Sequence, residues 1–236
     1  MAYAARAMKR FYKNAASRPA AGGFEILLDE RSVKTPARNP LVVPSEAMAS
    51  AIADEWNAQG EKVEPRSMPL TGLANAAIDR IAPDRDNFVR ALAVYGETDL
   101  LCYRAEGPAS LAAAQSAAWD PLLEWARRRY DVEFEVVRGI MHRDQPAETI
   151  RRLTAAVDAR TPFELAALTQ LVTIAGSLVA ALALAEGAVD IDTGWAAASL
   201  DEAWQAEQWG EDAEAALVLE ARRQDFAAAY RFLNLL

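Results

Sequence analysis

The chain has 236 residues, 52% of them hydrophobic, enough for a buried core in one large domain or two modest ones. Its single cysteine, Cys102, excludes an internal disulfide framework and a multi-cysteine zinc site, and fits a reducing compartment. The net charge of −9 is uneven: eleven of the 34 acids and no Lys or Arg fall between Thr161 and Ala221, leaving 23 acids against all 25 bases elsewhere. Phosphates need cations, so this third of the chain disfavours nucleic acid and suits a basic protein surface.

In chain order, the start is basic: Arg6, Lys9, Arg10, Lys13 and Arg18 precede the first acid, Glu25. It reads as a short lead-in to a folded domain, with no apolar signal-peptide core. Strands are expected at Phe24–Asp29, Ser32–Thr35 and Leu41–Val43, in a small antiparallel sheet. Ser45 should cap a helix over 46–59, with Met48, Ile52 and Trp56 as its buried stripe. Residues 60–70 hold two prolines and read as an extended linker. Helices follow at about 71–81, 84–97, 110–117, 121–130, 146–158, 162–186, 193–209 and 212–234. One alternating segment, Val132-Glu-Phe-Glu-Val136, should be a strand returning to the first sheet. The fold class is α+β: a small β-rich N-terminal domain over 1–66, then a larger all-helical domain over 67–236.

Thr161–Gly187 is the most apolar stretch. Thr161, Pro162 and Glu164 form a helix-start signature with a capping box, and no charge occurs from Leu165 to Leu184. Its length would suffice for a membrane span. Its alanines and internal Thr and Gln, its flanking acids and its lack of a basic or aromatic belt instead indicate the centre of a helical bundle, with no membrane insertion. Gly176-Ser177 marks a kink or a close approach of another helix.

A search for chemistry fails residue by residue. His142 is the only histidine, and no HExxH, CxxC, GxSxG, GxxxxGK[ST] or GxGxxG occurs, so no metal site, cofactor or catalytic group is expected. Asp192-Thr-Gly194 spells an aspartic-protease triplet, but without a second copy it reads as a turn in which Asp192 or Thr193 caps a helix. Cys102, in an apolar context, reads as a small buried hydrophobe.

The stretch 195–214 is the most unusual surface. On one helix Ala197, Leu200 and Trp204 would share a buried face, while Glu202, Gln205 and Trp209 share the other, and Gly210 would end the helix and expose Trp209. An aromatic anchor flanked by polar groups has the form of a protein-binding hot spot.

Motifs along nearly the whole chain resemble the assembly chaperones of the F-type ATP synthase, the ATP-twelve family of mitochondria and alphaproteobacteria. They are Arg10-Phe-Tyr-Lys13, Leu28-Asp29 with Arg31, Lys34-Thr-Pro36, Leu41-Val-Val-Pro44, Glu55-Trp56-x-x-Gln59 and Met68-Pro-Leu-Thr71, then Asp79, Thr98-Asp-Leu-Leu-Cys-Tyr-Arg104, Trp119-Asp-Pro121 and Glu202-x-x-Gln205-x-x-x-Trp209-Gly210. The resemblance implies a non-enzymatic chaperone, in the bacterial cytoplasm or mitochondrial matrix, that binds the free alpha subunit; a monomer is expected. It implies a role for Asp201 and Glu202; the expected partner-binding set is Asp201, Glu202, Gln205, Glu207 and Trp209. One departure is that Ala215, Ala216 and Leu217 stand where the family often has a His and further acids. The competing reading is an enzyme or small-molecule-binding helical domain with a pocket between the two domains.

Overall fold

The computed structural model describes residues 8–210 and 212–236. Residues 1–7, the first part of the basic lead-in, lie outside the described residues. The first element among the described residues is β1 (Met8–Lys9). A hairpin of β2 (Ala15–Ala20) and β3 (Gly23–Leu28) follows, and the other edge of β3 takes β4 (Arg31–Ser32) and β5 (Val42–Val43). Sequence reasoning missed β2, because Ala-Ala-Ser-Arg-Pro-Ala has no β-branched or aromatic residue; pairing with β3 holds it extended. Over this sheet lies α1 (Glu46–Asn57), started by Ser45, whose Oγ accepts the Met48 N–H at 3.0 Å. Met48 and Ile52 are buried and Trp56 half-buried, the expected stripe.

The expected linker is more structured than its prolines suggest. Lys62–Val63, β6, pairs antiparallel with β1; Pro65–Ser67 make a 3-10 turn, and α2 (Pro69–Ala76) starts directly after. The N-terminus of α2 is capped by Glu55 of α1, whose carboxylate accepts the Leu70 N–H at 2.7 Å, the Thr71 N–H at 2.8 Å and the Thr71 hydroxyl at 2.7 Å. Buried residues on both sides of this segment join one hydrophobic cluster that extends from Tyr12 to Phe232.

Beyond a π turn over Ala77–Ile81 come α3 (Arg85–Glu97), a 3-10 turn over Leu100–Cys102, β7 (Tyr103–Arg104), α4 (Ala109–Tyr130), β8 (Val137–Arg138) and α5 (Ala147–Asp158). The chain ends with α6 (Pro162–Ala175), α7 (Leu178–Ala185), α8 (Ile191–Ala198), α9 (Leu200–Trp209) and α10 (Ala213–Asn234). Among the described residues no helix is long and apolar enough to cross a membrane. Cys102 is buried, which pushes its thiol up to about 12.

Three expectations are corrected. First, 110–117 and 121–130 are one helix, α4, running through Pro121. Asp120 does not restart it but pairs with Arg104 at 2.5 Å, while buried Trp119, Leu122 and Leu123 hold both sides of the proline to the core. Second, 132–136 does not return to the first sheet; only β8 pairs, in parallel with β7. Val132 and Phe134 are buried as the alternation requires, but side chains satisfy the backbone. Gln145 and Thr149 bond Glu135 and Glu133 in place of a neighbouring strand.

Third, the apolar stretch is two helices. Thr161 and Glu164 form the expected capping box, and Leu165, Leu168, Leu171 and Val172 are buried. Gly176 then takes φ +63°, a left-handed C-cap, and Ser177 restarts the chain by accepting the Ala180 N–H at 3.0 Å. The junction is held by Asp99, which is fully buried and whose carboxylate accepts the Leu101 N–H and the Val179 N–H, each at 3.0 Å. Burial pushes this carboxyl up to about 6, against donors that pull it down.

Candidate partner-binding surface

The C-terminal helices place the expected site residues. Asp190, not Asp192 or Thr193, caps α8, accepting the Thr193 N–H at 2.8 Å. Asp192-Thr-Gly194 is therefore the first turn of a helix, and its glycine is a packing residue: a Cβ at Gly194 would come within 2.8 Å of Leu184 on α7. At Ser199 the chain bends, so that 193–209 is two helices, and α9 leaves the core with no buried residue. Gly210 ends it at φ +90°, and Trp209 is 76% exposed. Asp212 starts α10 by accepting the Glu214 and Ala215 N–H groups, which hold its carboxyl below the usual range.

Three of the five expected residues come together. Asp201, Glu202 and Gln205 line a cleft of about 420 Å³ whose far wall is the C-terminal end of α6, with Gly176 and Arg222. One Asp201 oxygen accepts from Gln115 at 2.8 Å, and Glu202 accepts from the Arg222 guanidinium at 2.8 Å. Glu207 and Trp209 are exposed and lie outside this cleft. Trp204 was expected to be buried on the opposite face; it is half-buried, and its ring meets that of Trp209 edge-on at 5.7 Å.

Two features escape a reading of α9 alone. A groove of about 340 Å³ between α9 and the first turns of α10 has Ala206, Ala215, Val218 and Leu219 in its lining, beside Glu202 and Glu214; Leu217 is exposed in the same turns. Arg222 is the other. Its signal was available, since it is the first base after the acid-only stretch. Carboxylates, an amide and an exposed indole beside apolar grooves can pair a cation and cover hydrophobic surface.

A cavity of about 670 Å³ lies between α2 and α10, within the helical part apart from Arg66, whereas the competing reading put its pocket between 1–66 and 67–236. Its polar wall is Arg66, Gln170, Gln224 and Asp225. Among the described residues no group of three or more His, Cys, Asp or Glu could hold a metal ion.

Several motif residues elsewhere are internal ties. Arg10 donates to the carbonyls of Tyr12 and Lys13, and Asp29 accepts the Lys13 and Asn14 N–H groups. Gln59 binds Ser67 and the Glu64 N–H, and Asp79 holds the Thr35–Asn39 turn through Thr35, Ala37 and Asn39. Trp119 donates to the Ala197 carbonyl at 2.9 Å.

Comparison with known proteins agrees with this architecture. The model of the family described as ATP12 chaperone protein matches residues 9–127, the range of most of these ties. The ATP12 protein of Paracoccus denitrificans, in a crystal structure, is 40% identical with a TM-score of 0.92, covering 97% of this chain and 98% of that one. A protein of Agrobacterium tumefaciens is 45% identical at TM-score 0.92, covering 96% of this chain and 85% of its own. The mitochondrial protein atp12 of Schizosaccharomyces pombe is 27% identical over 214 residues, 86% of this chain and 74% of its own length. With half its length matched by the family model and nearly all of it by solved relatives, the chain belongs to the ATP12 chaperone family, the assembly chaperones of the ATP synthase.

Proposed function

We propose that this chaperone binds the unassembled alpha subunit of the F-type ATP synthase, through Asp201, Glu202, Gln205, Glu207 and Trp209, in the bacterial cytoplasm or the mitochondrial matrix. One observation carries the surface: motif residues such as Arg10, Asp29, Glu55, Gln59 and Asp79 are engaged in internal ties, whereas Trp209, in the late motif, stands 76% exposed on a helix with no buried residue. An indole held out in water is unfavourable for the free chain and favourable once a partner covers it. An unassembled subunit exposes apolar and charged surface meant for its ring neighbours, and this face offers both counterparts. On this reading 1–66 and 67–236 divide the work, with the contact on the helical part.

Co-purification with alpha and beta subunits separately tests the partner; retention of alpha and not beta is expected. Trp209→Ala should weaken alpha binding by about 2 kcal/mol, roughly thirty-fold, with little change in melting temperature. Glu202→Lys removes a part-exposed pair with Arg222, which should cost the fold at most about 1 kcal/mol. Its loss of binding should shrink as salt is raised. Normal calorimetric binding by both variants would place the contact elsewhere.

A further inference from the structure

We infer that the cleft at the C-terminal end of α6 is a receptor for an arginine side chain of the partner protein, and that Arg222 occupies it in the free chain. The inference rests on the surface proposed above and adds the chemistry that it recognises.

The last carbonyls of a helix lack intrahelical donors and carry its negative dipole end. Here one of them, Ile174 O, accepts from Arg222 Nη2 at 3.0 Å, while Nη1 of the same guanidinium binds Glu202 at 2.8 Å. A guanidinium is thus already seated on a carboxylate and a helix-end carbonyl, the planar fork that lysine cannot reproduce. Asp201 and Gln205 line the same cleft, so its acceptors exceed what one cation uses, and about 420 Å³ stays open beside the Arg222 guanidinium.

The seat is also exchangeable. The side chains of Arg222 and Glu202 are 36% and 44% exposed, and a pair open to water contributes little. An arginine that arrives with an interface excludes that water and binds the same acceptors more strongly. Arg222 therefore acts as an internal competitor that lowers affinity and leaves the complex reversible.

The test is calorimetry of Arg222→Ala and Arg222→Gln with the alpha subunit, beside Trp209→Ala. Removing the competitor should tighten binding about three- to five-fold. Unchanged or weaker binding by Arg222→Gln, with its melting temperature kept, overturns the inference. If Trp209→Ala also leaves binding intact, the surface itself is wrong; if Trp209→Ala weakens binding, only the receptor is. A second readout needs no partner: N-acetyl-arginine amide titrated into 15N-labelled Arg222→Gln should shift the Gly176 and Gln205 amides, and the lysine analogue should do so less. Equal or absent shifts would refute the assignment.

Discussion

Leu178→Asp should abolish the folded state. Leu178 is fully buried at the first position of α7, and an acid at a helix N-terminus would ordinarily gain about 0.3–1 kcal/mol from the dipole. Two stronger effects oppose it. The new carboxylate would be buried among apolar neighbours, a cost of several kcal/mol, and it would stand beside the buried carboxyl of Asp99, which already caps this turn. Against a typical domain stability of about 5–15 kcal/mol the cost of burial wins. Expression in inclusion bodies, or loss of the cooperative denaturant transition, is the expected outcome; a native-like melting curve would contradict the burial of α7.

Asp99→Ala should be nearly as damaging, by a different route. It leaves the N–H groups of Leu101 and Val179 buried and without an acceptor, at about 1–3 kcal/mol each, so roughly 3–5 kcal/mol in denaturant titration. The wild-type carboxyl also links stability to pH. Its folded pKa, about 6, lies above the unfolded value near 4, so the folded state binds this proton more tightly. Its contribution is complete below pH ~4 and is lost as pH rises through about 6. The wild type should therefore lose up to about 3 kcal/mol between pH 4 and 8 relative to Asp99→Asn, whose amide does not titrate. A constant difference across that range would contradict this.

The caps and stripes were legible because they are local. Ser45, Thr161 with Glu164, and the Met48–Ile52–Trp56 spacing each act within one or two turns, and with the short punctuated strands before Ser45 they give the α+β class. What escaped was supplied from a distance. Gly176-Ser177 marked the break after Ala175 locally, but the hold of Asp99 on that junction, like that of Glu55 on the start of α2, comes from other elements. Residues 132–136 look like a strand because their burial alternates, yet their bonding partners are the side chains of Gln145 and Thr149. At the surface, Gly210 announced the exposure of Trp209, a local signal. The cleft did not announce itself, because its walls come from α6, α9 and α10, and no single periodicity contains them.

The exposure of Trp209 has a spectroscopic consequence. Of the six tryptophans Trp209 alone is exposed; Trp119 is buried and Trp56, Trp125, Trp195 and Trp204 are partly covered. A charged quencher that does not enter the protein, such as iodide, should reach one emitting ring and little else. The accessible fraction of the fluorescence would then belong to the tip of α9, and its disappearance on mixing with a partner would time the covering of that tip without any label.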